Sequence, residues 1–125
     1  MTRRMTDASL RFNERRRRED EAPRLHERLP ALATLRLEVE ERRSGSVSTE
    51  TKHVRLVVVD SAPALFVLPC GDSSCRDGGH DLTDGVLRSL AAGKTRFELE
   101  DGCLGNVGSS TCGRVLRVVG LATYR

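Results

Sequence analysis

Leu35, Leu37 and Val39 alternate with Arg36, Glu38 and Glu40, the period-two pattern of a strand with one buried face. A polar stretch beginning at Ser44-Gly45-Ser46 reads as a long hairpin loop. His53 to Val59 is rich in β-branched residues and predicts a second strand. Asp60-Ser61-Ala62-Pro63 turns the chain, and Ala64 to Leu68 predicts a third strand, placed centrally in the sheet. The period then changes. Leu82, Val86, Leu87, Leu90 and Ala91 share one face of a helix, with Asp81 as N-cap and Gly93 as the stop. Asp84 suits the positive end of that helix dipole. Thr95 to Glu100 and Arg114 to Tyr124 predict two more strands. The order is β-β-β-α-β-β without an internal repeat. The expected fold class is α+β: a small five-stranded, mainly antiparallel sheet with one packed helix.

Residues 1–30 have another texture and read as a charged, arginine-rich arm, disordered or helical, ahead of an α+β domain at 31–125. Asn13 to Glu21 contains no apolar residue and so has nothing to bury. Glu14 and Arg18 stand at i,i+4 in the favourable order, while Pro23 and Pro30 interrupt any helix. The arm holds nine arginines against six acids; the rest of the chain balances twelve basic with twelve acidic side chains. The whole net charge of +3 therefore sits in the arm. The longest apolar runs, Leu56–Val59 and Ala64–Leu68, are too short to cross a bilayer, and no apolar leader follows the basic start. A soluble, cytoplasmic protein with no membrane partner is expected.

Against that frame the cysteines stand out. All four, Cys70, Cys75, Cys103 and Cys112, fall at expected turns in the second half of the chain. A strand–helix–strand unit normally sets its strands parallel with a right-handed crossover. That route brings Cys70, Cys75 and Cys103 to one end of the sheet, and Cys112 returns there after a loop of eight residues. Four convergent thiols suit tetrahedral Zn²⁺. Glycines such as Gly78, Gly79 and Gly105 allow the tight turns such ligands need. His80 could replace one thiol or support the site from behind; a solvent-facing loop histidine is its plain alternative. Two disulfides, an iron–sulfur cluster and buried thiols are the other readings of the set. Paired cysteines at turns resemble a zinc ribbon in outline. The C-x4-C and C-x8-C spacings depart from that pattern, so no family is assigned.

A closed four-thiolate site has no open coordination position and is structural, so no enzyme is expected. No phosphate loop or nucleophile elbow is present. The expected function is a non-enzymatic, zinc-binding accessory module. Arg15, Arg16, Arg17 and Arg18 would contact nucleic acid or a ribonucleoprotein through phosphates. Glu19-Asp20-Glu21 offsets that run, and four aromatics in all leave no stacking platform. A protein–protein adaptor or homo-oligomer is the alternative, and a thiol-based redox or metal sensor the third.

Overall fold

A computed structural model describes residues 7–125. Arg3 and Arg4 of the arm lie outside the described residues. The described residues form three helices: α1 (Asp7–Glu21), α2 (Leu25–Arg28) and α3 (Thr83–Ala91). Three long strands, β1 (Leu32–Arg42), β2 (Thr51–Val57) and β5 (Arg96–Gly102), join β8 (Val115–Tyr124) in one antiparallel sheet, ordered β2-β1-β8-β5. Two short ribbons stand apart from it. One pairs β3 (Val67–Leu68) with β4 (His80–Asp81), the other β6 (Asn106–Val107) with β7 (Ser110–Thr111).

The alternation in β1 is realised: Leu35, Leu37 and Val39 are buried, and the chain pairs from Leu32 to Arg42 with β8. α3 lays Val86 and Leu90 over this face, and Phe66, Val59 and Ala64 fill in from the loops. Leu25 of α2 is fully buried in the same core. Its amide donates to the Ala62 carbonyl, and the Ala64 amide donates to Pro23. Gly120 in β8 lies against the Phe97 ring of β5, its direct partner, where a Cβ would collide with the aromatic edge.

Among the described residues the main sheet has four strands, not five, and no parallel pair. The segment expected as a central third strand contributes only Val67 and Leu68, which pair with β4. Pro63 and Pro69 flank it and supply no N–H, so only a short stretch can join a ladder. Its backbone is used elsewhere: the Phe66 amide donates to the Thr83 hydroxyl, and the Phe66 carbonyl accepts from Leu82. The ten-residue β8 instead takes the place beside the eleven-residue β1. The N-cap of α3 is Leu82, one residue later than expected. Asp81 has its backbone in the β3–β4 ribbon, but its side chain still accepts from the Thr83 amide at the first turn. Gly93 closes the helix at a positive φ of 73°.

In α1, Arg17 lies between Glu14 (2.6 Å) and Glu21 (3.2 Å), so Glu14 meets Arg17 and not Arg18. Arg18 reaches across to Asp81 at 3.1 Å and ties the helix to the β3–β4 ribbon. No helix among the described residues is long and apolar enough to cross a membrane.

Candidate metal centre

Two hairpin tips build the site. The first, residues 69–79, caps the β3–β4 ribbon and carries Cys70 and Cys75. Within it the Asp72 carboxylate accepts from the Ser74 amide, and the Asp72 carbonyl accepts from Cys75. That tightens the four residues between the cysteines into a turn. The second tip, residues 103–114, joins β5 to β8 and carries Cys103 and Cys112, with the β6–β7 ribbon at its end. Cys103 and Arg114 extend the β5–β8 ladder, and the Cys112 amide donates to Gly105. Reciprocal hydrogen bonds between Arg76 and Asn106, 2.8 and 2.9 Å, clip the two tips together. The thiols therefore converge, but by antiparallel hairpins and not by the parallel crossover expected from the sequence.

All four Sγ atoms lie within 4.8 Å of one another. Cys70 and Cys112 are 3.7 Å apart, and Cys75 and Cys103 3.6 Å. No disulfide joins any of them. Ligands about 2.3 Å from a central zinc would stand roughly 3.8 Å apart at the corners of a tetrahedron. These two edges match that figure, and every other one is at most 4.8 Å. A polynuclear cluster would hold its thiolates much farther apart, so one ion fits the space and a cluster does not. Soft thiolates in tetrahedral array suit zinc or a single iron.

The backbone is shaped around the sulfurs. Gly78 and Gly105 face each other across the site; a Cβ on Gly105 would come within 2.5 Å of Cys75 Sγ and 2.6 Å of the Arg76 carbonyl. A Cβ on Gly78 would meet the sulfurs of both Cys75 and Cys103. The Gly79 amide donates to Cys103 Sγ at 3.4 Å. Burial opposes ionisation of Cys103, yet amides of Gly79 and Gly105 pull its thiol below the ordinary range. Burial pushes Cys70 up, with the nearby Cys112 and Cys103 thiols adding to the rise. Burial and Cys103 together push Cys75 up to about 11. Burial thus opposes ionisation of Cys70 and Cys75, and a bound dication would favour it.

Beneath the thiols lies a buried polar network of which the sequence pointed only to His80. His80 is 1% exposed, with Nδ1 2.8 Å from Asp101 and Nε2 3.4 Å from Glu41 but out of line for a hydrogen bond. Its ring nitrogens thus face carboxylates, and the four-ligand group comprises the cysteines alone. Glu41, also buried, accepts from Arg114 Nε and from the Gly71 amide, the residue after Cys70. Arg114 reaches Glu50 at 2.7 Å. Burial works against the Arg114 charge, but Glu41 and Glu50 hold its guanidinium above the usual range. One network therefore grips both hairpins next to Cys70, Cys103 and Cys112.

Of the arm's arginines, Arg17 and Arg18 have carboxylate partners as described, and Arg16 is exposed. Arg15 and Arg18 border a groove of about 550 Å³ between α1 and the first hairpin, floored by Val67, Leu68 and Pro69. Comparison with protein-family models, curated proteins and solved structures finds no match.

Proposed function

We propose that Cys70, Cys75, Cys103 and Cys112 bind one zinc ion as a closed, structural site, and that the chain is a zinc-stapled binding module without catalysis. The observation that carries it is the gathering of four thiols from two separate hairpins within 4.8 Å of one another, with two pairs across the tips at 3.6 and 3.7 Å, the edge length of a tetrahedral zinc site. Four protein ligands leave zinc no open position for water or substrate, so the ion's contribution is folding free energy. The ion supplies charge neutralisation and a cross-link. The residues here orient and hold the thiolates: Gly79 and Gly105 through their amides, Gly78 and Gly105 by lacking a side chain, Glu41 by fixing Gly71.

Cys103→Ser tests this most simply. The variant is expected to lose its zinc and to melt at a clearly lower temperature; a variant that keeps the wild-type midpoint would contradict the proposal.

Nucleic-acid contact through Arg15–Arg18 is the second reading, favoured by the exposure of Arg16 and Arg17 on α1. Arg17 and Arg18 would have to exchange their carboxylate partners for phosphates. Affinity for a single-stranded RNA probe should then fall steeply between low and physiological salt and vanish when all four arginines become alanine. Absence of binding at low salt would remove this reading.

A further inference from the structure

We infer that the four thiols are also a modification site: a peroxide oxidant would replace the ion with two disulfides, Cys70–Cys112 and Cys75–Cys103. Expulsion of the ion rests on the zinc reading above; the pairing of the thiols does not.

The pairing follows from where the sulfurs stand. Cys70 and Cys112 are 3.7 Å apart, Cys75 and Cys103 3.6 Å, and each pair runs from the first hairpin tip to the second. Disulfide sulfurs stand about 2.0 Å apart. Side-chain rotation can close gaps of this size while the Arg76–Asn106 hydrogen bonds keep the tips in register. Exposure sets the order. Cys70 and Cys75 both line the groove beside α1, but Cys75 and Cys103 are buried, whereas Cys70 and Cys112 are half-buried. An oxidant meets the Cys70–Cys112 pair first.

The chemistry balances with hydrogen peroxide as the co-reactant. One sulfur of the pair attacks a peroxide oxygen; the O–O bond breaks, giving a sulfenic acid and, after one proton is taken up, water. The second sulfur attacks the first, the S–S bond forms, and hydroxide leaves as a second water. Two electrons pass from the sulfurs to the peroxide. Protons come from the thiols, or from solvent where the sulfurs begin as thiolates.

The consequence is specific to cross-hairpin pairing. Both disulfides tie the same two tips that the ion ties, so oxidation exchanges one staple for another. Chelation under reducing conditions removes the staple outright. A bridge inside one hairpin, Cys70–Cys75 or Cys103–Cys112, would leave the tips unconnected.

The test treats the full chain with hydrogen peroxide and maps its disulfides by mass spectrometry. Cleavage before Asp72, after Arg88 and after Leu104 separates all four cysteines. Expected are a Cys70–Cys112 link first, Cys75–Cys103 second, and release of one equivalent of zinc to a chromogenic indicator. In chelator, the oxidised chain should melt roughly 10 °C or more above the reduced chain. Links within a hairpin, sulfonic acids without links, or equal midpoints would overturn the inference. If the untreated protein carries no zinc and chelator leaves its reduced midpoint unchanged, the zinc reading fails, while the disulfide map still decides the pairing.

Discussion

Glu41 sits where the alternation of β1 calls for an apolar side chain, in phase with Leu35, Leu37 and Val39. Its charge is offset there by Arg114, and its oxygens hold the Gly71 amide. Removing one partner of a buried pair leaves the other charge stranded, at a cost of about 3–5 kcal/mol. Arg114→Leu is therefore expected to lower the urea midpoint strongly, and Arg114→Lys to recover little of it, because lysine lacks the fork that meets Glu41 and Glu50 together. Equal stability of all three proteins would show that the network does not support the hairpins. Glycine is as constrained as charge. Gly105→Ala should reduce the zinc retained after dialysis to a small fraction of wild type, since its Cβ would press on Cys75 Sγ and the Arg76 carbonyl. Gly108, in the same tip with open space around it, is the control, provided the replacement is asparagine, which accepts its positive φ of 61°. The thiols were legible in the sequence as a convergent set. Glu41 could have been found from its phase on β1, whereas Asp101 and Arg114 carry no such signal and become visible only once the hairpins are folded together.

Hairpins replace the expected parallel crossover as the elements that deliver the cysteines. The strands β1, β5 and β8 were readable because alternation reports a buried face, whereas β2, exposed along nearly its whole length, was readable only from its β-branched content. Pairing order was not, since apolar runs do not state which strand lies beside which. The segment 64–68 looked central from its apolar run, but its flanking prolines and its backbone bonds to Leu82 and Thr83 commit it to the start of α3. The short α2 anchors the end of the N-terminal segment through Leu25, and truncating that fully buried side chain should cost about 2–5 kcal/mol. Leu25→Ala measured by urea denaturation checks this; a change below the surface-substitution range would mean that α2 is not part of the core. The link of α1 to β4 is weaker. Partial burial raises the Asp81 carboxyl, but bonds from Thr83 and Arg18 outweigh it and hold the group below the ordinary range. Its contribution is therefore complete above about pH 4 and fades as acid protonates it. With both side chains about half exposed, Arg18→Ala should cost less than about 1 kcal/mol at neutral pH.

For the whole molecule, the sheet and α3 supply one core, and the two tips carrying the thiols project from its end with little apolar packing of their own. A structural zinc is worth on the order of 10 kcal/mol to small domains, comparable with the total stability of an ordinary fold. Loss of the ion under reducing conditions should therefore free the tips and lower the melting point of the domain. The measurement that bears most directly on this is native mass spectrometry of the chain purified in reductant, before and after a strong chelator. One zinc per chain is expected, with protons replacing it on chelation. A fully reduced, metal-free chain that neither takes up added zinc nor changes on chelation would contradict the zinc site, and with it the account of what holds the hairpins together.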